Sequence, residues 1–145
     1  MFVKQISVYL ENAKGSLREL VELLGKNEIN LLALSIADTT GFGIIRMIVK
    51  SVDLEKTSAV LKEHGYISKT NDVVCVRIPH RPLGLANVLR LLEENNISVE
   101  YSYSFCRSTL TDASVILRPS DKKACLDALK AGKVSLISQE QVDEF

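Results

Sequence analysis

Two short stretches of the sequence place a glycine where a strand meets a helix. The first is ENAKGSLREL, residues 11–20, and the second is PHRPLGLANVL, residues 79–89. A helix N-terminus presents free backbone N–H groups and the positive end of the helix dipole, so such a junction can bind a phosphate or a carboxylate. Glycine also lets a ligand approach the backbone closely. The same junction can be an ordinary turn, and the glycine alone leaves all three interpretations open.

Side chains at and after the first junction can bind a carboxylate or an ammonium group. Asn12 and Asn30 carry carboxamides, which donate and accept hydrogen bonds and therefore suit an α-carboxylate or an α-ammonium group. Lys14 would add positive charge near a bound carboxylate. Neither stretch has the GK[ST] sequence of a phosphate-binding loop or the glycine spacing of a dinucleotide-binding loop.

The sequence contains none of the common catalytic or metal-binding motifs. GxSxG, HExxH, a Walker loop and a GxGxxG after a strand are all missing. The two histidines, His64 and His80, are well separated, and the three cysteines are widely spaced without a CxxC pair. We therefore expect reduced thiols, no metal, no cofactor and no enzymatic activity. An active site assembled from distant residues stays open as a minor alternative.

Composition and charge narrow the classes of partner. The chain has 145 residues, of which 46% are hydrophobic and 25% charged, and 18 basic residues balance 18 acidic ones. This balance disfavours a nucleic-acid-binding surface, although the segment YSYSF keeps an RNA-binding module as a less favoured alternative. The apolar runs are too short to cross a bilayer, and the N-terminus lacks the apolar region of a signal peptide. We expect a cytoplasmic protein that contacts neither nucleic acid nor membrane.

The second half of the sequence repeats the first at a constant offset, without a gap. The offset that aligns Val8 with Val76 also aligns Leu17 with Leu85, Asn27 with Asn95, Ile48 with Ile116 and Asp53 with Asp121. An offset that persists over the length of a domain indicates duplication. We predict two domains, residues 1–70 and 71–145, which meet between Thr70 and Asn71.

Each half has the pattern of a strand, a helix, two strands, a second helix and a last strand. In the first half, Ile6 and Val8 alternate with polar residues as in a half-buried strand. Leu20 and Leu24 recur at helical spacing after Ser16, which with Glu19 forms the capping-box pattern. The segments YISKT and VVCVRI are predicted to be separate strands, and the polar tail QEQVDEF is predicted to be loosely held.

This order predicts the α+β class, with two ferredoxin-like βαββαβ domains whose antiparallel sheets carry both helices on one face. A unit of roughly 70 residues is marginal by itself, so we expect the halves to form a pseudo-symmetric pair. The halves also differ. Tyr101, Tyr103 and Phe105 alternate along one strand of the second half, and their shared face either covers the sheet or lines a pocket or interface.

The repeated strand order and the loop after each first strand resemble the ACT domain. This family comprises small-molecule-sensing regulatory modules that are often attached to enzymes of amino-acid metabolism. Its loop commonly has the sequence Asn-x-Pro-Gly-x-Leu, and a Gly-(Ile/Val)-Asn-Ile segment follows the first helix. The first copy here keeps Asn12, Gly15 and Leu17, and it has Lys14 in place of the proline.

The second copy departs from the family pattern in a different way. It keeps Pro82 and Leu85, but His80 replaces the asparagine and the glycine, Gly84, comes one position late. The resemblance covers nearly the whole chain as two copies in register. Because the first loop keeps both the asparagine and the glycine, we expect it to be the stronger ligand site.

The resemblance implies a regulatory protein without catalysis, in which a free amino acid or a similar small effector binds at the interface between ACT domains. The loop of one copy would hold the ligand, with help from the second strand of its neighbour. The implied ligand contacts are Asn12, Ala13, Lys14, Gly15, Ser16, Leu17 and Asn30 in the first copy, and His80, Arg81, Pro82, Leu83, Gly84, Leu85 and Ser98 in the second.

The partner arrangement stays open from the sequence. The two copies can satisfy each other within one chain, or two chains can form a homodimer, and occupancy can be passed to a protein partner. A structural or oligomerisation module without a ligand is the alternative function. The replacement of the family proline by Lys14 and the displacement of Gly84 keep that alternative open.

Overall fold

The structure is a computed structural model that describes residues 1–38, 41–106 and 111–145. The chain divides into two compact units. The N-terminal unit comprises Lys4–Asn71, and the C-terminal unit comprises Asp72–Phe145 together with Met1–Val3. Of the turn TTGFG predicted from the sequence, residues 39 and 40 lie outside the described residues.

The N-terminal unit has the predicted βαββαβ order. Its elements are β1 (Val3–Glu11), α1 (Ser16–Lys26), β2 (Ala33–Asp38), β3 (Phe42–Ile48), a 3-10 turn (Ser51–Asp53), α2 (Leu54–Glu63) and the beginning of β4 (Ile67–Pro79). The strands follow the order β2-β3-β1-β4, and β3 is antiparallel to both β1 and β2. This is the strand order of a ferredoxin-like sheet.

One face of this sheet carries both helices. Ile6 and Val8 of β1 pair with Met47 and Ile45 of β3, so their side chains point to the same side. All four are fully buried. They form one core cluster with side chains of both helices, namely Leu20, Leu24 and Leu61. These alternate residues of β1 attach α1 and α2 to the sheet. The prediction that β1 is half-buried is wrong, because Gln5 and Ser7 on its other face are buried too.

The C-terminal unit repeats this arrangement. Its elements are the rest of β4, α3 (Gly84–Glu94), β5 (Val99–Ser104), β6 (Asp112–Pro119), α4 (Lys122–Ala131), β7 (Ser135–Leu136) and α5 (Gln139–Asp143). β4 pairs with β6 and β7, and β5 pairs with β6, all antiparallel. Val74, Val76 and Ile78 of β4 share one core cluster with Val88 of α3 and Leu129 of α4. The predicted α+β fold class is confirmed.

β4 differs from the prediction, because YISKT and VVCVRI form one strand of 13 residues, Ile67–Pro79. The segment between them contains no glycine or proline to end a strand. Its polar Asp72 is satisfied in the extended conformation. The Asp72 carbonyl accepts a hydrogen bond from Arg118 Nη1 at 3.1 Å, and its carboxylate lies 3.7 Å from Lys122 Nζ.

The prediction of a constant offset between the copies is wrong at one strand. Val8 pairs with Ile45, and the offset that carries Val8 to Val76 would carry Ile45 to Ala113. Val76 pairs instead with Val115. The original offset returns at α2 and α4, which begin at Leu54 and Lys122. The second copy is longer between β5 and β6, so the predicted equivalence of Ile48 with Ile116 does not hold.

The C-terminal tail is ordered, which corrects the prediction that it is loosely held. The Ser138 hydroxyl and the Gln141 side chain form a reciprocal capping box at the start of α5. Val142 is fully buried, and the Phe145 and Phe105 rings form a T-shaped pair with a centroid distance of 5.0 Å. The prediction failed because QEQVDEF is mostly polar, whereas its two apolar residues, Val142 and Phe145, hold the tail in place. Within the described residues, no helix is long and apolar enough to span a membrane.

Candidate ligand-binding site

The loop between β1 and α1 is a tight turn. The Ala13 N–H donates to the Glu11 carbonyl at 2.9 Å, and the Ser16 N–H donates to the Ala13 carbonyl at 3.1 Å. Gly15 precedes the helix with a φ of 86°, in the left-handed region that favours glycine. The turn thus delivers the first N–H groups of α1 next to the end of β1.

Ser16 does not cap α1, so the predicted capping box is wrong. Gly15 occupies the N-cap position, and no side chain accepts a hydrogen bond there. Ser16 is the first helical residue, and the Glu19 N–H donates to the Gly15 carbonyl at 3.0 Å. The Ser16 side chain instead lines a cleft.

A cleft of about 290 Å³ lies beside this turn in the N-terminal unit. Four residues predicted from the sequence line it, namely Asn12, Ala13, Ser16 and Leu17. The other lining residues were not predicted from the sequence; they are Leu10, Glu11, Ile36, Gly43 and Ile45. These residues come together through strand pairing, since Gly43 lies opposite Leu10 and Ile36 lies opposite Ile45. The alternation of β1 would have found Leu10, but Ile36 needs the register of β2.

Three other predicted residues of the first copy stand apart from the cleft lining. Lys14 is exposed and Gly15 shapes the turn. Asn30 is also exposed and precedes the start of β2, where Ala33 pairs with Ile48. The cleft lies toward the other end of that strand, at Ile36. Within this unit, the structure therefore does not bring Asn30 together with the β1–α1 loop.

The chemistry of the first cleft is part polar and part apolar. The Glu11 carboxylate, the Asn12 carboxamide and the Ser16 hydroxyl supply polar groups, whereas an apolar wall is formed by Leu10, Leu17, Ile36 and Ile45. Among the described residues of this lining, Glu11 alone is formally charged. Arg18, one residue beyond Leu17, pairs with Glu22 at 2.9 Å. The first-turn N–H groups of α1 precede the first intrahelical bonds and suit an anionic group.

The second loop has the same backbone conformation with different residues. Leu83 takes the place of Gly15, with a φ of 69° at the N-cap of α3. The Arg81 N–H donates to the Pro79 carbonyl at 2.9 Å, and the Gly84 N–H donates to the Arg81 carbonyl at 3.1 Å. A Cβ on Gly84 would collide with the Pro79 carbonyl oxygen. Close packing therefore explains why the glycine of this copy comes one position late.

A separate cleft of about 400 Å³ lies beside the second loop in the C-terminal unit. Of the residues predicted in this copy, Arg81 and Gly84 line it, whereas His80, Pro82, Leu83 and Leu85 do not. The His80 N–H donates to the Thr111 carbonyl at 2.9 Å. The cleft also contains residues that the sequence did not indicate, among them Arg77, Asp112 and Lys133.

Ser98 lies away from the second loop. It is exposed, and its N–H donates to the Ser120 hydroxyl at 3.2 Å. The predicted aromatic stripe follows the burial of β5, because Tyr101 and Tyr103 are half-buried while Ser102 between them is exposed. Phe105 continues the stripe and packs against Phe145. This face of the stripe is thus occupied in part by the C-terminal tail.

The described residues contain no group of three His, Cys, Asp or Glu side chains placed to hold a metal ion. All three cysteines are free thiols. Cys75 and Cys125 are buried, and Cys106 is exposed. Burial raises the pKa of the Cys75 thiol far above its ordinary value. Burial, together with the nearby Asp121 charge, raises the pKa of Cys125 to about 11.

The chain thus consists of two βαββαβ units, each with a loop that leads into its first helix. The family model described as an ACT domain pair matches residues 1–144, so this chain belongs to the ACT domain family. ACT domain pairs are regulatory domains. The resemblance that the sequence indicated is confirmed.

Solved structures share the fold of this chain. A protein from Bacteroides thetaiotaomicron is 38% identical, with a TM-score of 0.90 over 100% of this chain and 98% of that chain. The regulatory subunits of aspartate kinase from Thermus thermophilus and Thermus flavus have TM-scores of 0.66 and 0.60 at 15% and 14% identity. The match to the Thermus thermophilus subunit covers 88% of this chain and 90% of that chain. The match to the Thermus flavus subunit covers 90% of this chain and 94% of that chain. At such identities the likeness concerns the fold. A search among curated proteins finds no match.

Proposed function

We propose that this protein is a regulatory sensor that binds a free amino acid in the cleft beside the β1–α1 loop of the N-terminal unit. The observation that supports the proposal is the convergence of Asn12, Ser16 and the first turn of α1 on one cleft with an apolar wall. The protein would pass occupancy to a protein partner or to its own assembly. Membership of the ACT domain family supports the regulatory role.

The cleft offers a complement for each part of an amino acid. The α-carboxylate is suited to the Ser16 hydroxyl and the N–H groups at the positive end of α1. The α-ammonium group is suited to the Glu11 carboxylate and the Asn12 carboxamide. The side chain would lie against Leu17 and Ile36, so we propose an aliphatic amino acid as the ligand. The cleft volume of about 290 Å³ suits one small molecule.

A thermal-shift screen of the full chain against the twenty amino acids tests this proposal. At about a hundred times its dissociation constant, a specific ligand adds about 2.7 kcal/mol of stability. For a chain of this size, that corresponds to a rise in Tm of roughly 5–10 °C. We expect one aliphatic amino acid, or a small group of them, to give this rise. The response of Asn12→Ala is expected to be lost.

His80→Ala is the matched control, because His80 occupies the position of Asn12 in the second copy and does not line the cleft beside its loop. It should respond as the wild type does. A flat response of the wild-type chain to all twenty amino acids would instead favour a structural or oligomerisation module that works without a ligand. If His80→Ala abolishes the thermal shift and Asn12→Ala does not, the amino acid binds at the second loop instead.

A further inference from the structure

The cleft of the C-terminal unit has a basic lining. Arg77 comes from β4, Arg81 from the β4–α3 loop and Lys133 from the turn between α4 and β7. Of the described lining residues, Asp112 alone is acidic. Three basic residues against one acidic residue give the lining a formal charge of +2.

Strand pairing at the end of β4 brings these residues together. Arg77 lies opposite Ser135 of β7, and Pro79 lies opposite Asp112 of β6. The turn that leads into β7 carries Lys133. The first turn of α3 closes another side of the cleft through Gly84 and Asn87. The start of α3, an asparagine and three basic residues thus line one space of about 400 Å³.

Among the described lining residues, the three cations of this cleft face a single carboxylate, that of Asp112. Among the residues that the structure describes, Arg77, Arg81 and Lys133 form no ion pair, although three other ion pairs are present. All three residues are exposed. Like charges gathered in one cleft repel each other. A bound anion would remove that repulsion.

The N-terminal unit shows that the fold does not require this charge. Its equivalent positions hold Tyr9 for Arg77, Ala13 for Arg81 and Gly65 for Lys133. It has Phe42 opposite Glu11, where the C-terminal unit has Asp112 opposite Pro79. The three equivalent positions are therefore occupied by neutral residues in the N-terminal unit and by basic residues in the C-terminal unit.

Lys133 is placed at the cleft by the turn that ends α4. Its φ is 57°, and Gly65 has a φ of 79° at the equivalent position. A left-handed residue is common just after the end of a helix, and Glu28 and Asn96 have the same φ of 57° after α1 and α3. The Lys133 N–H donates to the Lys130 carbonyl at 3.0 Å and so fixes the turn at the cleft.

We propose that the cleft lined by Arg77, Arg81 and Lys133 is a second ligand site, which binds a small anion with two negative charges. Phosphate monoesters and dicarboxylates share this chemistry. Guanidinium groups bind either of them through paired hydrogen bonds. This site lies in the other unit from the amino-acid cleft and takes a different class of ligand, so it does not depend on the proposed function.

Isothermal titration of the full chain with inorganic phosphate and with succinate tests the site, with ionic strength held constant by sodium chloride. We expect saturable binding of at least one of the two anions, with one anion per chain. Binding of phosphate alone or of succinate alone identifies the anion class that the cleft prefers. Heat that sodium chloride reproduces at equal ionic strength would overturn the proposal.

Variants that copy the first unit provide the decisive comparison. Arg81→Ala and Lys133→Gly introduce the residue types found at the equivalent positions Ala13 and Gly65 of the N-terminal unit. Each change should weaken anion binding by about tenfold or more, the loss expected for one charge-assisted contact. Lys123→Ala removes an equal charge from an exposed site outside the cleft and should bind as the wild type does. Equal affinity of the wild type and the Arg81→Ala, Lys133→Gly double variant would refute the site.

Two further measurements separate this result from misfolding and from the amino-acid site. Lys133→Gly relieves the left-handed lysine, so its unfolding midpoint in urea should be no lower than that of the wild type. Loss of anion binding in a variant of equal stability then reports the cleft. Asn12→Ala should bind the anion as the wild type does. If no amino acid stabilises the chain in the thermal-shift screen, anion binding is still expected, so the two proposals fail separately.

Discussion

Gly84 and Gly25 show how two glycines of the same sequence have different structural roles. A Cβ on Gly84 would collide with the carbonyl oxygen of Pro79, whereas a Cβ on Gly25 would meet nothing within 4 Å. Gly84 lies at the start of α3 and is buried, and Gly25 lies near the end of α1 and is exposed. The sequence does not indicate this difference, because the Pro79 contact depends on how the loop folds back.

Substitution of these glycines by alanine should therefore have opposite effects. Gly84→Ala is expected to lower the free energy of unfolding by about 1–3 kcal/mol, because the backbone carbonyl of Pro79 has to move. Gly25→Ala should raise it by about 0.5 kcal/mol, since alanine favours a helix more than glycine does. Urea unfolding of both variants measures the difference. Equal effects of the two changes would contradict the close contact at Gly84.

The three thiols should differ in reactivity because only Cys106 is exposed. At pH 8 we expect iodoacetamide to modify one cysteine of the native chain and all three in urea, as counted by mass spectrometry. Burial holds Cys75 protonated and, with Asp121, raises the pKa of Cys125 to about 11. The thiolate is the reactive form, so both stay inert. Modification of Cys75 in the native chain would show that its core opens readily.

The same pKa shifts predict how stability changes with pH. Above pH 9.0, the ordinary value, an unfolded Cys125 loses a proton that the native thiol keeps up to about pH 11. The unfolded state then binds fewer protons, so the free energy of unfolding should fall as the pH rises through this window. Urea midpoints at pH 8 and pH 10 measure the fall. Cys125→Ala should show a smaller fall than the wild type, and an identical fall would exclude this thiol as a cause.

At the scale of elements, the beginnings of the helices show where local sequence rules hold. Asp121 caps α4, and its carboxylate accepts a hydrogen bond from the Ala124 N–H at 2.9 Å. Ser138 caps α5 in a full capping box. Ser16 matches the same pattern in the sequence, but Gly15 takes the N-cap position before it. A left-handed glycine at the turn thus overrides the capping pattern.

Because the two helices begin differently, replacing Ser16 and Asp121 by alanine should change the free energy of unfolding by different amounts. Ser16→Ala should change the free energy of unfolding by less than about 0.5 kcal/mol, because the hydroxyl caps nothing. Asp121→Ala should lower it by about 1 kcal/mol through loss of the cap. Chemical denaturation of both variants provides the comparison. A loss at Ser16 as large as that at Asp121 would mean that its hydroxyl supports the helix after all.

At the scale of the whole molecule, duplication has produced two units of one fold with unlike clefts. The lining of the N-terminal cleft has a formal charge of −1 from Glu11, and the lining of the C-terminal cleft has a formal charge of +2. The N-terminal cleft also has the apolar wall that contains Leu17 and Ile36. One ligand class is therefore not expected to fill both.

Titration calorimetry should accordingly give one amino acid bound per chain, because the N-terminal cleft combines a carboxylate, a carboxamide and an apolar wall, whereas the C-terminal cleft is basic. Asn12→Ala is expected to abolish the signal, and Arg81→Ala, in the other unit, serves as its control and should leave the stoichiometry unchanged. Two equal amino-acid sites per chain would contradict the difference between the clefts.

The sequence by itself determined the fold class. The alternation of Ile6 and Val8 and the helical spacing of Leu20 and Leu24 are local periodicities, and each one fixes an element and its buried face. Repetition of this pattern then revealed the duplication. The backbone of the turns at Gly15 and Leu83 is also alike, as two copies in register predict.

Tertiary structure alone decided which residues share a cleft. Ile36 reaches the β1–α1 loop through the register of β2 and β3, and Lys133 comes to Arg81 through the pairing of β7 with β4. Asn30, which the family pattern indicated, lies toward the other end of its strand. The physical reason is that periodicity constrains neighbours along the chain, whereas a cleft depends on strand order and register between segments far apart in sequence.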